Sequence, residues 1–337
     1  MDPILTSGPQ ANGVQARVLA GLVLGYVCYR SIARRARDKG ISAQDKDISA
    51  QDGTFLKVIY DDPKQDSFDR IDFVAVHGVN TLNTADHAYK TWIHSETGKM
   101  WLKDFLSCKI PGARVLLYGY NSNVAVGTAQ ASVRDHANNL LDRLERKRTG
   151  ENNREDRPII FIGHSLGGLL IKQALVNARN NSRYSSILRA TYGIVFLGTP
   201  HRGGKKARFA SMVSRVVQLI FRHPSNSLLK SVEEESIFAE ILNETFANQY
   251  ERYQFISVYE TLTLWPLCHP IVPKESAVLG IPNREVVIAA AADHLQICQF
   301  KDIEGDDYEP IQGNILKMSD GAMKKFNRRR SRGISSR

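Results

Sequence analysis

Cysteine is scarce in this chain. The 337 residues contain four cysteines, and none of them forms a Cys-x-x-Cys pair. Four cysteines in a chain of this length make no disulfide framework, which excludes the class of small disulfide-stapled secreted domains. We expect Cys28, Cys108, Cys268 and Cys298 to be reduced and buried, and we predict a reducing, intracellular compartment for the folded body.

Long apolar runs are also missing. The main candidate, Val18–Tyr29, has 12 residues, and at ~1.5 Å per residue it spans about 18 Å of the ~30 Å bilayer core. It lacks the basic start and the small-residue cleavage site of a secretory signal. Three interpretations stay open: a marginal anchor with the body on the cytoplasmic side, a mitochondrial targeting segment, or a helix packed on the body. The expected location is membrane-associated, at the endoplasmic reticulum or the mitochondrion.

Signals of cofactor chemistry are absent as well. No run of residues has metal-ligand spacing, and the chain contains neither a Walker loop nor the dinucleotide pattern G-x-G-x-x-G. We therefore expect no cofactor and no metal. No nucleic-acid-binding module is recognisable, so no specific nucleic-acid partner is expected.

The net charge of +10 lies in two flanks of the chain. Residues 321–337 contribute +7 without any acid and residues 30–39 contribute +4, which leaves the remainder at −1. Basic flanks favour anionic surfaces, in this case membrane headgroups or nucleic acid. We expect contact with a membrane surface through the N-terminal segment and these flanks.

Composition divides the chain into three parts. Residues 1–53 form a tail that contains the apolar segment 18–29 and a polar linker. Residues 54–320 carry alternating strand and helix patterns, so we assign the folded domain to them. Residues 321–337 are basic and rich in Ser and Arg, which is typical of disorder.

Within residues 54–320, short apolar runs indicate strands and 3.6-residue periodicity indicates helices. Strands are predicted at 55–60, 71–76, 115–118, 158–162, 193–197, 254–259 and 286–291, and helices at 129–146 and 167–178. The alternation predicts an α/β fold, with a mostly parallel sheet and helices on both faces. Residues 205–250 interrupt it and are predicted to be a helical insertion that either caps a pocket or belongs to the core.

The strongest chemical signal is residues 163–167, GHSLG, between an apolar strand and a helix. A sharp strand-to-helix turn holds Ser165 in a strained conformation, so the neighbouring positions must be glycine. The turn lifts the hydroxyl above the sheet, and the helix N-terminus favours developing negative charge. This placement predicts Ser165 as the nucleophile of an α/β hydrolase.

A serine nucleophile needs a base, and in this fold the base follows the acid along the chain. The histidines after Ser165 are His201, His223, His269 and His294. His294 follows the last predicted strand, from which a loop can reach back over the sheet edge, so we predict it as the base. His201 comes before the predicted acid and is expected only to line the site.

The acid should end a strand between the nucleophile and the base. Glu260 closes the strand 254–259 and is our prediction, with Glu275 in a later loop as the alternative. Asp293 adjoins the base, so its side chain is expected to point away.

The developing oxyanion needs donors that are already in place. The backbone N–H of Leu166, directly after the nucleophile, is one candidate. The other is the N–H of Val79, in the loop after the strand 71–76, where Gly78 allows close approach.

Taken in order, these segments resemble the DUF676-like α/β hydrolases of the serine-active-site-containing group. This lipase and esterase domain is also found at the start of many fungal NACHT-type proteins. The resemblance covers roughly residues 55–310 and rests on 73–78 (FVAVHG), 91–92 (TW), 114–120 (RVLLYGY), 157–169 (RPIIFIGHSLGGL), 193–203 (GIVFLGTPHRG) and the loop 293–294.

The resemblance implies an ester- or lipid-directed hydrolase, often associated with membranes or mitochondria, with Ser165, Glu260 and His294 as its triad. Our hypothesis is acyl-ester hydrolysis through a covalent intermediate, with a lipid ester favoured by the apolar insertion and the basic flanks. Two alternatives stay open: an inactive membrane-associated scaffold, and a thioesterase or transacylase that uses the same triad.

Overall fold

A computed structural model describes residues 54–62, 70–79, 86–122, 129–149, 157–201, 238–265 and 267–334. The apolar segment 18–29, the linker and most of the predicted insertion 205–250 lie outside the described residues. Within the described ranges, no helix combines the length and apolar character needed to cross a bilayer.

The centre of the domain is a sheet whose seven described strands have the order β1-β3-β2-β4-β5-β6-β7. The strands are β1 Phe55–Asp61, β2 Ile71–Val76, β3 Ala113–Gly119, β4 Ile159–His164, β5 Thr191–Leu197, β6 Gln254–Glu260 and β7 Glu285–Ala290. Strand β1 pairs with β3 in antiparallel orientation, and all other pairings are parallel. Parallel neighbours end at a common edge, so the carboxyl ends of β2 to β7 meet there.

The central strands are buried along their full length. Every residue of β2, β3 and β4 is buried. In register, Val74 of β2 lies between Leu116 of β3 and Phe161 of β4. A strand covered on both faces has no solvent-facing alternation, which explains the continuous apolar runs in the sequence.

Helices cover both faces of this sheet. They are α1 His87–Lys90, α2 Trp101–Asp104, α3 Leu106–Lys109, α4 Ala129–Arg148, α5 Leu166–Asn180, α6 Ser185–Ala190, α7 Lys274–Ala277 and α8 Glu309–Ile334. Short 3-10 turns occupy Ser182–Tyr184 and Tyr250–Arg252. Residues 238–247 are also helical, which agrees with the predicted helical insertion over that part.

Two apolar cores lie on opposite sides of the sheet. One is formed by α4, α5 and the helical residues 238–247, and it contains Leu140 and Leu170. The other is formed by α1, α2, α3 and α8, and it contains Trp101 and Ile315. The predicted fold class is confirmed: the chain has the α/β-hydrolase fold, with a mostly parallel sheet between two helical layers.

Two of the expectations about cysteine are corrected. Cys108 and Cys268 are exposed, whereas Cys298 is buried, and all three are free thiols. Cys108 belongs to the short helix α3 and Cys268 to the loop after β6. Cysteine is usually a buried residue type, and this tendency does not predict the exposure of these two side chains.

The predicted disorder of residues 321–337 is wrong for most of this segment, because α8 continues to Ile334. Its buried residues Ile311, Ile315, Met318, Ala322 and Phe326 are spaced by three or four positions and form one helix face. The high density of basic residues hides this stripe in the sequence. The domain therefore extends past residue 320.

We predict that Phe326→Ala destabilises the protein by about 2–4 kcal/mol, because it removes a buried aromatic ring from the end of α8. Lys324→Ala, on the exposed face of the same helix turn, is expected to change stability by less than about 0.5 kcal/mol. Urea unfolding of both variants measures the difference. Equal free energies of unfolding for the two variants would contradict packing of this part of α8 against the domain.

Candidate active site

Three polar side chains meet at the carboxyl edge of the sheet. Ser165 follows β4, Glu260 is the last residue of β6, and His294 lies in the loop after β7. All three are buried, with 7%, 2% and 3% of their surfaces exposed, respectively. Glu260 and His294 lie 95 or more positions after Ser165 in the sequence. They come close to it because β4, β6 and β7 end at the same edge of the sheet.

Ser165 occupies the strained turn between β4 and α5. Its φ of 51° and ψ of −124° lie outside the regions that non-glycine residues prefer. Such strain costs of the order of 1–3 kcal/mol. Packing around the turn holds it: a Cβ at Gly163 would lie 2.7 Å from the Cα of Gly168, and one at Gly167 would lie 2.3 Å from the carbonyl oxygen of Val76.

Hydrogen bonds join the three side chains into one chain of contacts. The Oγ of Ser165 lies 2.9 Å from Nε2 of His294. On the other side of the ring, Nδ1 of His294 lies 2.7 Å from Oε2 of Glu260. The second oxygen of Glu260 accepts the backbone N–H of Val272 at 2.8 Å. With Nδ1–H donating to the carboxylate, Nε2 faces the serine as an acceptor.

The alternative acids are not part of this chain of contacts. Glu275 is exposed on α7, whereas His294 is buried. The Asp293 carboxylate accepts the backbone N–H groups of Leu295 and Gln296, at 2.8 and 2.9 Å. As expected, the Asp293 side chain points away from His294. It stabilises the turn that carries His294.

Two of the other candidate bases belong to the described residues. His201 is buried edge-on against Phe196, with ring centroids 4.5 Å apart, and its backbone N–H donates to the carbonyl oxygen of Ser276. His269 is exposed. His223 lies outside the described residues.

The two candidate oxyanion donors come from segments next to Ser165. Leu166 is the first residue of α5, where backbone N–H groups have no partner within the helix. Val79 follows Gly78, whose Cα packs so closely on Ser165 that an added Cβ would lie 2.8 Å from the serine Cβ. The turn after β2 therefore approaches Ser165 as closely as a glycine permits.

Two buried residues, whose role here is not predicted by the sequence, stabilise this turn through hydrogen bonds. Nδ1–H of His77 donates to the carbonyl oxygen of Gly78 at 2.8 Å, and Nε2 accepts the N–H of Tyr120 at 3.2 Å. The Tyr120 hydroxyl donates to the carbonyl oxygen of His77 at 3.1 Å, and the two rings stack. Burial lowers the pKa of His77 to about 4, so its ring is neutral at physiological pH. The His-Gly pair at the end of β2 is the sequence signal for this brace.

Comparison with known proteins identifies relatives of similar sequence. The chain is 29% identical to Protein SERAC1 of Danio rerio over 257 residues, which cover 68% of this chain and 36% of that protein. It is 26% identical to Protein SERAC1 of Homo sapiens, over 69% of this chain and 36% of that protein. The chain thus spans about a third of the length of these curated relatives. No protein-family model matches it.

Solved structures with a similar overall fold include a lipase and an esterase. The mature lipase BlEst2 of Bacillus licheniformis matches with a TM-score of 0.47 and 14% identity, over 79% of this chain and 98% of the lipase. Esterase B of Lactobacillus rhamnosis, described with a tributyrin phosphonate inhibitor, matches with a TM-score of 0.49 and 11% identity, over 94% of this chain and 98% of the esterase.

The buried histidines of the site predict a pH-dependent stability. Burial lowers the pKa of His77 to about 4 and that of His164 to about 3, whereas both rings titrate near 6.5 in an unfolded chain. Below about pH 6.5 both rings become protonated in the unfolded state but stay neutral in the folded state. The free energy of unfolding therefore falls as the pH decreases towards 4. Above about pH 6.5 these two groups contribute no pH dependence.

Urea unfolding at pH 7.5, 6 and 5 should therefore show a loss of roughly 1 kcal/mol per histidine for each pH unit below 6.5. His77→Gln should reduce this slope by the contribution of one histidine, roughly 1 kcal/mol per pH unit. A wild-type stability that stays constant from pH 7.5 to pH 5 would contradict the neutral, buried state of these rings.

Proposed function

We propose that this protein is a serine hydrolase that cleaves acyl esters through a covalent acyl-enzyme. The observation that carries the proposal is the buried contact chain from Ser165 through His294 to Glu260, with Ser165 on a strained strand-to-helix turn. Ser165 is held at positive φ, its hydroxyl is within hydrogen-bond distance of His294, and the His294 ring is oriented by the Glu260 carboxylate. A role in packing alone does not account for this combination.

In the proposed reaction, His294 takes the proton from Ser165 as the oxygen attacks the ester carbonyl. The N–H groups of Leu166 and Val79 bind the oxyanion. Glu260 keeps Nδ1 of His294 protonated, so that Nε2 is the basic nitrogen, and it stabilises the imidazolium that forms. His294 then gives its proton to the leaving alcohol. Water, deprotonated by the same ring, releases the acid and restores Ser165.

Exposed apolar side chains beside the site favour a lipid ester. Leu262 and Trp265 follow Glu260 and are 49% and 45% exposed. The backbone N–H of Leu262 donates to the carbonyl oxygen of Ala292, which ties this loop to the segment that carries His294. Large apolar side chains exposed beside a reactive serine are suited to an acyl chain or a lipid surface.

For contact with a membrane, we propose the N-terminal flank rather than the C-terminal one. Strand β1 is antiparallel, and its first residue, Phe55, pairs with Gly119 at the carboxyl end of β3. The N-terminal segment therefore joins the domain at the edge that holds Ser165. The basic end of α8 lies at the opposite edge, where Lys325 sits over the ring of Tyr192 near the start of β5.

A fluorophosphonate probe tests the hydrolase proposal directly. We expect labelling of the wild-type protein at Ser165, complete loss of labelling in Ser165→Ala, and unchanged labelling in Ser182→Ala, which alters an exposed serine away from the site. His294→Gln should slow labelling by about 10³-fold or more, because the base is removed. Folded wild-type protein that resists the probe would refute the proposal and support the inactive scaffold.

The lipid preference has its own test with p-nitrophenyl esters of different chain length. Trp265→Ser should lower kcat/KM for the palmitate ester by about 5- to 20-fold, since it removes a large apolar contact, and leave the acetate ester within about 2-fold. Val286→Thr, at an exposed apolar position near the start of β7, is the matched control and should affect neither substrate. Equal effects on both esters would contradict an acyl-binding role for this loop.

A further inference from the structure

His164 joins the nucleophile turn to the loop that carries the base. It is the last residue of β4, precedes Ser165, and is 5% exposed. Its Nε2 lies 2.8 Å from the backbone carbonyl oxygen of His294. A carbonyl oxygen only accepts, so Nε2 carries a proton. Burial lowers the pKa of His164 to about 3, so the ring is neutral at physiological pH and is the Nε2–H tautomer.

The opposite edge of the same ring faces the turn at residues 77–79 after β2, which we call the oxyanion turn because it carries the proposed donor Val79. Nδ1 of His164 has no hydrogen-bond partner in the described part of the chain. It packs against Gly78 instead, where an added Cβ would lie 3.1 Å from this nitrogen. A proton on Nδ1 would be directed into that contact, which is a second reason for the Nε2–H tautomer.

The base has two attachments that constrain different parts of it. Glu260 holds the imidazole ring of His294 at Nδ1, and this bond sets the ring orientation. The bond from His164 holds the main chain of the same residue and so sets the position from which the ring extends. Asp293 stabilises the turn that follows, where its carboxylate accepts the backbone N–H groups of Leu295 and Gln296.

We infer that His164 is a positioning residue, whose Nε2–H bond to the His294 carbonyl holds the base at the correct distance from Ser165. The inference rests on the proposed hydrolase function. The His164 side chain thereby connects three segments: strand β4, which precedes Ser165, the loop that carries His294, and the oxyanion turn. A displacement of about 1 Å between reacting groups can cost on the order of 100-fold in rate, so this bond acts on kcat rather than on substrate binding.

Two amide variants separate this role from simple core packing. In His164→Gln, the side-chain nitrogen stands the same number of bonds from Cα as Nε2, so the donor is retained. In His164→Asn, the nitrogen stands at the position of Nδ1 and cannot reach the His294 carbonyl. Both replace an aromatic ring by a smaller amide, so a packing role predicts similar losses in each.

The experiment measures kcat and KM for p-nitrophenyl butyrate and the rate of fluorophosphonate labelling, in full-length variants whose folding is checked by thermal unfolding. We expect His164→Gln to stay within about 3-fold of wild type in kcat and His164→Asn to lose about 10- to 100-fold, with KM within about 2-fold in both. If the Asn variant does not fold, His164→Leu supplies the same lack of a donor in an apolar side chain. Equal kcat values for the Gln and the donor-free variants would overturn the inference.

Histidine ¹⁵N NMR separates failure of this inference from failure of the proposed function. At pH 7 the wild-type protein should show His164 as the Nε2–H tautomer. Both variants lose the His164 ring, whose centroid lies 5.1 Å from that of the His294 ring, so the test compares the two variants with each other. The His294 ring signals of the donor-free variant should differ from those of the Gln variant. If the wild type neither hydrolyses the ester nor reacts with the probe, but the two variants differ in this way, the hydrolase proposal fails and the positioning contact stands. Identical His294 ring signals in the Gln and the donor-free variants would overturn the inference whatever the activity.

Discussion

The turn at Ser165 is the constraint on which the rest of the site depends. A non-glycine residue at φ 51° is held there only because the surrounding backbone packs without any free space. Gly163, Gly167 and Gly168 each approach a neighbour so closely that a Cβ would overlap it, and Thr199 packs against the last of them. Strands β2, β4 and β5 thus determine where the hydroxyl points, and His294 and Glu260 are arranged around that position.

Burial gives the site its electrostatic character. His77 and His164 are uncharged at physiological pH because burial lowers the pKa of each, to about 4 and about 3. Each then serves as a hydrogen-bonding brace, one for the oxyanion turn and one for the base loop. Two neutral imidazoles place donors and acceptors near His294 without themselves adding positive charge there.

The domain is also polarised from one edge of the sheet to the other. The carboxyl edge holds Ser165 and the exposed residues Leu262 and Trp265, whereas the amino edge holds the basic end of α8. There, burial together with the charges of Arg329, Arg284 and Arg252 lowers the pKa of Lys325. A bilayer bound at that basic end would lie away from the proposed active site. The basic end of α8 and the start of β1, to which the N-terminal segment is joined, therefore lie at opposite edges of the sheet.

The sequence by itself determined the strand and helix alternation, the strained turn and the position of Ser165, because these depend on local spacing and on glycines that only close packing requires. It favoured Glu260 over Glu275 from strand position, but it did not bring either to His294. Tertiary structure decided which carboxylate reaches the ring, since that depends on which strands end side by side. It also decided the structure of residues 321–334, which form the end of α8: Ala322 is buried in one apolar core and Phe326 in the other, although the segment is rich in basic residues. The roles of His77 and His164 emerged only there as well, because each rests on a hydrogen bond or packing contact that composition and spacing do not encode.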